Sequence, residues 1–371
     1  MKNENTIAIT NSFGNPENSK TWSGTPSNII KALKGQGYNL LAIDASINNR
    51  FRERYYRLVH KLYGFKFDYH RGKLPRLYRA RISQEQSLAK NCNKILHTGT
   101  LDLPLSKVRK EVEHYLFCDS TWNLWSQYAT NIDQYPTKML KLAEELEQES
   151  YSQIKHFFPI SEYVRNNLVN YYGVNPNQIT VVGTGRGSIQ AFAEEKDYEN
   201  GHILFVAKDR FDDKGGPLLL EGFKIAQRQN PNLNLVIVGD DKYREQIGVI
   251  PNVMVTGYIS WEELQNLFNT AALFAMPAVN EPWGLVYLEA LACRTPILGL
   301  NRNSLPEITC QGEYGFLVDE PNADQVADAI LSAFSNPDKL REMGLAGQKY
   351  CLEKFSWDQV ASTITSVMME T

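Results

Sequence analysis

Glu281 and Glu289 stand eight residues apart within AVNEPWGLVYLEALACRTPI, residues 278–297. Pro282, Trp283 and Gly284 make a tight turn between them, and Leu285 to Ala292 reads as a helix leaving that turn. Glu281 then sits in the loop at the helix mouth. Glu289 lies about two turns in, and eight steps of 100° bring it to within roughly 80° of the first position. The amides of Gly284, Leu285 and Val286 would point outward from the helix start, which suits an anion such as a diphosphate. A capped core helix with two solvated acids is the plain alternative.

The elements that must position such groups follow from hydrophobic patterning. TIAIT at 6–10 suits a buried first strand, and it runs into NSFGNPENSKTWSGT, a loop rich in Gly, Asn and Ser. SNIIKALKGQGY places Ile29, Ile30 and Leu33 at helical spacing with Gly35 and Gly37 as stops, and NLLAIDA at 39–45 is a second strand. This is a βαβ unit with its loop at the strand's carboxyl end, where α/β sheets bind ligands. Gly24 would let the backbone approach a phosphate or an acceptor there, and Ser27 is placed to cap the helix. NKILHTGT at 93–100 and HYLFCDSTWNLWSQY at 114–128 are further strands, the second breaking at Asp119. His97 and Asp119 thus fall at strand ends, where either could orient an acceptor hydroxyl or take its proton. A structural role for each is the alternative.

The second half repeats the pattern. HILFVA is a buried strand, KDRFDDKGG a charged loop, and PLLLEGFKIAQ a helix with Pro at its start. Between the halves, Gly183, Gly185 and Gly187 are spaced G-x-G-x-G with no apolar helix directly behind them. That reads as a flexible connection rather than a nucleotide loop.

A chain of 371 residues predicts two domains, and 43% hydrophobic with 22% charged residues is a globular composition. There is no apolar run of transmembrane length and no signal-peptide core at the start. Five scattered cysteines point to a reduced, cytoplasmic chain and away from a disulfide framework or zinc site. The net charge of −3 hides an asymmetry: residues 50–81 hold eleven Lys/Arg against two acids, leaving about −12 for the remainder. Eight aromatics (among them Tyr55, Tyr63 and Phe67) interleave with these cations. Such a segment suits an anionic membrane surface, with Arg50, Arg52, Arg54 and Arg57 as the neutralisation test, or an anionic acceptor. Nucleic acid is not expected. A solvated helical pair with inward-packed aromatics is the alternative.

EPWGLVYLEALA resembles the E-P-x-G-x-x-x-x-E-A signature of family 4 glycosyltransferases, retaining enzymes of the GT-B fold, and the likeness continues through LPEI at 305–308 and GFLV at 315–318. The resemblance implies an α/β chain of two Rossmann-like domains facing a cleft. The first would be an acceptor domain over 1–184, joined by a final helix (356–371) that crosses back. A nucleotide-sugar domain would fill 185–355. The donor would be a UDP-, GDP- or ADP-sugar, and the acceptor a glycan or lipid-linked molecule in cell-envelope or extracellular polysaccharide synthesis. On the matching positions, Lys214 and a second cation would hold the diphosphate. The family's usual arginine is Asp209 here, so Arg210 is the preferred partner, with Lys208 the other choice. Gly257 and Tyr258 would lie at the base, Glu289 would take the ribose hydroxyls and Glu281 the sugar hydroxyls. Asp119 falls on a D-x-T stretch and, with Glu281 and Lys214, is expected to be catalytic. Gly24 and His97 join Asp119 on the acceptor side. Arg294 stands where the family commonly has Gly. No Asp-x-Asp occurs, so no divalent metal or other cofactor is expected. A phosphorylase or epimerase, or a catalytically silent scaffold on the same fold, remains open.

Overall fold

The structure is a computed structural model describing all residues except 1–5, 48–49, 51–52, 56, 59–60, 62–71, 106–110, 130–131 and 371. The chain forms two compact units, residues 1–185 with 357–371, and residues 186–356.

The first unit holds five parallel strands: β1 Thr6–Asn11, β2 Asn39–Asp44, β3 Lys94–Thr98, β4 Glu113–Cys118 and β5 His156–Pro159, in the order β2-β1-β3-β4-β5. β1 is buried throughout, as a strand covered on both faces must be. Helix α1 (Thr25–Gly35) follows the loop after β1 and buries Ile29, Ile30 and Leu33. Gly24, in the left-handed region, is its N-cap. Ser27 does not cap: it lies inside the first turn, and its hydroxyl donates back to the Gly24 carbonyl at 2.9 Å.

Helix α2 (Lys73–Ala89) corrects the reading of the basic segment. Arg76 and Arg79 are buried in the core of the unit, not on its surface. Arg76 donates to the Thr100 carbonyl at 2.7 Å and to Ser150 at 3.2 Å, and Arg79 to the Leu101 carbonyl at 3.4 Å. Buried guanidiniums demand such acceptors, because an unpaired one would carry the full desolvation cost. Most of residues 50–71, Arg52 included, lies outside the described residues. Among the described ones, Arg50, Arg54, Arg57, Leu58 and Lys61 are exposed.

The second unit has six strands: β6 His202–Lys208, β7 Leu235–Gly239, β8 Val253–Gly257, β9 Ala271–Ala275, β10 Ile297–Leu300 and β11 Gly315–Val318. Their order is β11-β10-β9-β6-β7-β8, and every pairing is parallel. This is the doubly wound arrangement, and the direction of winding reverses between β6 and β9. The loops leaving those two strands border the crevice where such sheets bind ligands. Helix α3 (Gly216–Gln229) follows β6, and helix α4 (Leu285–Ala292) follows β9 with the bounds the sequence predicts. No helix of the described residues is long and apolar enough to cross a membrane.

Helix α5 (Trp357–Glu370) returns to the first unit and packs on α1. Gln36 donates to the Asp358 carbonyl and to Ser362, each at 2.9 Å, and Lys94 donates to the Met368 carbonyl.

Candidate functional site

In the second unit, the site begins where two loops touch. Gly215 has φ +80°, and a Cβ there would fall 2.1 Å from the Pro277 carbonyl oxygen. Only glycine permits this approach, which seats the loop after β6 against the loop after β9. Lys214 precedes that glycine, and its ammonium pairs with Glu281. Both side chains are mostly buried, at 14% and 15% exposure. Burial, then the charges of Arg210 and Lys208, pull the Lys214 pKa down to about 7, while Asp213 opposes them. Lys208, Arg210 and Lys214 share this loop with Asp209, Asp212 and Asp213, and Glu281 reaches in from the loop after β9 to meet Lys214.

Arg210 is half exposed and pairs with Asp213 at 3.2 Å. Lys208 has φ +55° at the end of β6, and its charge acts on Lys214 and on Glu289. Gly284, at φ +80°, starts α4 with no described side chain capping it, so Leu285 and Val286 form an uncapped first turn. Ser304 holds the turn from behind by donating to the Pro282 carbonyl at 2.5 Å.

Glu289 is buried, and its carboxylate accepts from the Ser188 amide at 2.9 Å. Burial raises its pKa, and the amides of Ser188 and Ile189 and the Lys208 charge hold it back. A Cβ on Gly187 would fall 2.0 Å from that carboxylate, and one on Gly185 would fall 2.3 Å from the Trp357 ring. Both glycines are therefore required by close packing, a reason that a flexible connection does not supply. Sequence reading missed this capture, because the amides that hold Glu289 come from a hundred residues away. The glycine spacing was the available signal.

Gly257 ends β8 at φ +78°, and a Cβ there would meet the Asp241 carboxylate at 2.2 Å. Tyr258 follows it, 63% exposed, its phenol pKa raised by desolvation and by Asp240 and Asp209. Arg294 also has φ +56°, and its guanidinium donates to Gln348 at 2.9 Å and to the Glu194 carbonyl at 2.8 Å. A glycine would suit that backbone, while the arginine is spent tying together elements of its own unit.

In the first unit the expected residues separate. His97 is fully buried, its Nδ1 2.9 Å from Asp102 and its Nε2 2.9 Å from His114 Nδ1. It belongs to a core hydrogen-bond chain and cannot meet an acceptor, which corrects its acceptor-side assignment. Asp102 also accepts from Thr10 at 2.9 Å, and burial followed by the neighbouring His97 pulls the His114 pKa down to about 2. Asp119, by contrast, lies just past β4 and is partly exposed. Burial raises its pKa to about 6, against hydrogen bonds from its own amide and from the Trp22 side chain. A carboxylate so tuned can hold or take a proton near neutral pH.

Residues 188–350 match the family model described as Glycosyl transferases group 1. An alpha-maltose-1-phosphate synthase of Mycolicibacterium smegmatis is 35% identical over 105 residues, 27% of this chain and 27% of that protein. From the same organism, a GDP-mannose-dependent alpha-(1-6)-phosphatidylinositol monomannoside mannosyltransferase is 31% identical over 158 residues, 39% of this chain and 41% of that one. This chain therefore spans well under two thirds of the curated relatives it matches. A solved sucrose-phosphate synthase from Thermosynechococcus elongatus superposes with a TM-score of 0.75 over 98% of both chains, at 16% identity. That likeness shows the fold, the GT-B type built of two Rossmann-like units.

Proposed function

We propose, from the match of residues 188–350 to the glycosyl transferases group 1 model, that the chain is a retaining glycosyltransferase of that family. It moves a sugar from a nucleotide sugar to a glycan or lipid-linked acceptor, in cell-envelope or extracellular polysaccharide synthesis. The observation that carries this reading is Lys214 paired with Glu281 beside the uncapped start of α4, at the winding reversal of the sheet. The matched mannosyltransferase is GDP-mannose-dependent by name, which supports a nucleotide-sugar donor of the UDP, GDP or ADP kind.

In this reading Lys214, Arg210 and the amides of Gly284, Leu285 and Val286 stabilise the departing diphosphate as the bond from the sugar's anomeric carbon to phosphate breaks. The acceptor oxygen forms its new bond on the same face, and its proton passes to the departing phosphate. Glu281 accepts from sugar hydroxyls, Glu289 from the ribose, and Gly257 and Tyr258 border the base. Asp119 orients the acceptor hydroxyl, with Gly24 in the same unit. Fixed cations neutralise the phosphate, so no divalent ion is required. The protein works in the cytoplasm, peripheral to an anionic membrane face through Arg50, Arg54 and Arg57. Binding to anionic liposomes that is lost in high salt tests this last point, and equal binding to neutral liposomes would refute it.

The central test is a thermal-shift panel of UDP, GDP, ADP and their sugars on wild type and Glu281→Ala, paired with an assay of nucleoside diphosphate release. A rise for one nucleotide that the variant loses, together with acceptor-dependent release, supports the transferase. Binding without release would make the protein a nucleotide-sugar-binding module.

A further inference from the structure

Residues 186–201 carry neither helix nor strand, so the partners of their backbone polar groups come from other elements of the second unit. Gln265, on the helix Trp261–Thr270, accepts from the Gln190 amide at 2.7 Å and donates to the Gln190 carbonyl at 3.1 Å. The Phe192 amide donates to the Ala292 carbonyl, at the end of α4, at 3.1 Å. Gln348 donates to the Phe192 carbonyl at 2.6 Å and to the Ala292 carbonyl at 2.5 Å. The segment is thus stapled along α4, and just ahead of these staples it gives the Ser188 amide to Glu289 Oε1 at 2.9 Å.

Glu289 is the single charged residue of α4, set among buried Tyr287, Leu288, Ala290 and Leu291. A carboxylate in such a place calls for donors, and its two oxygens offer about four lone-pair sites. Gly187 lies against the same group. Its φ is outside the left-handed region, so the backbone itself would accept an alanine. What excludes a Cβ there is the carboxylate, with Oε1 at 2.0 Å, Cδ at 2.7 Å and Cγ at 3.0 Å. All three are atoms of Glu289, so the bare backbone of Gly187 forms one wall of the carboxylate's seat.

We propose that Gly187 and Ser188 are positioning residues for ribose recognition: the bare backbone of the first and the amide of the second fix the Glu289 carboxylate so that its remaining lone pairs meet the hydroxyls of a nucleotide's ribose. This rests on the reading of Glu289 as the ribose acceptor. A carboxylate anchored through one oxygen does not turn to follow a sugar that lacks a hydroxyl, so the site rejects deoxynucleotides.

The experiment is calorimetry of UDP, GDP and ADP, each beside its 2′-deoxy and 2′,3′-dideoxy forms, on the full chain as wild type, Gly187→Ala and Glu289→Ala. For the base that wild type binds most tightly, removing the ribose hydroxyls should weaken binding roughly ten- to a hundredfold. The methyl of Gly187→Ala meets the end of a flexible side chain and no backbone. That variant should therefore fold, with a melting temperature near that of wild type, while its ribose-to-deoxyribose ratio falls toward one as in Glu289→Ala. The preference for nucleoside diphosphate over monophosphate should stay, because Lys214 is untouched; a general loosening of the unit would lower both ratios. Should Gly187→Ala fail to fold, Gln265→Ala gives the second reading, releasing Gln190 and lowering the ribose ratio in part. A wild-type ratio near one overturns the proposal, and so does a ratio that survives intact in a folded variant; both leave the donor reading standing. If wild type binds none of the nucleotides, the donor reading falls and takes this proposal with it, so wild-type binding tells the two failures apart.

Discussion

The two units place their ionisable residues in opposite ways. In the second, Lys214 and Glu281 pair across the loops that leave β6 and β9, Glu289 takes the Ser188 amide from the segment before β6, and glycines 187, 215 and 284 let the backbones close around them. In the first, most of the equivalent chemistry has gone inward. His97, Asp102 and His114 form a chain in the core and Arg76 and Arg79 bind carbonyls there, while Asp119 is partly exposed. A site built for a constant group such as a diphosphate calls for fixed cations and fixed backbone. A site that meets a variable partner can leave its strand ends to stability.

The sharpest break in that contrast would come from Gly215→Ala. The added methyl meets a main-chain oxygen that has no rotamer to swing aside, at a left-handed position. We expect a loss of about 2–4 kcal/mol in the second unit, read by urea denaturation, together with loss of nucleotide binding. Gly173→Ala, at φ +68° with open space around it, should cost only the backbone share of about 1 kcal/mol. Equal losses would mean that the seam between the two loops is not what the glycine serves.

Acid should weaken both units, through His114 in the first and through His202, whose pKa burial pulls down to about 4, in the second. His114 is held neutral with a pKa of about 2, whereas an unfolded histidine protonates near its ordinary value of 6.5. The unfolded state therefore binds the extra proton below that value, and stability falls as pH drops from 6.5 toward 2. The slope from this group approaches 1.4 kcal/mol per pH unit, or about 3 kcal/mol by pH 4. Because His202 is protonated in both states below pH 4, hydrogen exchange from pH 4 to 3 should show β3 and β4 losing protection ahead of β6 and β7. Simultaneous loss would place the acid-sensitive group elsewhere.

Lys214 sharpens the comparison from the other side. With its pKa pulled down to about 7, a diphosphate that needs the ammonium must recruit a proton above that pH. The nucleoside diphosphate Kd should then rise by up to about tenfold per unit from pH 7 to 9, and Lys214→Arg should flatten the dependence. A flat wild-type profile measured by calorimetry would count against Lys214 as the diphosphate ligand. The smallest expected effect is that of Ser23→Gly. Its left-handed φ is relieved while the unfolded chain gains freedom, giving a net change from zero to about 1 kcal/mol in favour of the fold. A clear destabilisation in a thermal melt would show that the serine hydroxyl does more than occupy a strained position.

How much of this was legible in the sequence depended on how far a residue's partners lie along the chain. Helix α4 and its glycine start were readable, because Pro282, Gly284 and the apolar run from Leu285 are all local. The loop at Lys214 was readable for the same reason, with Pro217 opening α3. Arg76 and Arg79 were not, since a charge-rich helix looks solvated until the carbonyls of Thr100 and Leu101 are known to meet it. His97 occupies the expected strand end, but its direction was decided by residues 102 and 114. The hydroxyl of Ser27 served the Gly24 carbonyl where a cap was expected, because the left-handed glycine had already moved the helix start back by three residues. Periodicity tells which face is buried, and it says little about which polar group will be taken in with it.

The return of α5 to the first unit has a consequence for the order in which the protein is made. Gly185 lies against Trp357, so the whole of residues 186–356 is looped out from one point of the first unit. A ribosome finishes that inserted unit before it releases the helix on which α1 waits. The second unit can thus complete its core first, while the first keeps an apolar helix face uncovered until α5 emerges. Chains that stop short of Trp357 would carry a finished inserted unit and an unfinished host, and the exposed side of α1 is where they would first aggregate.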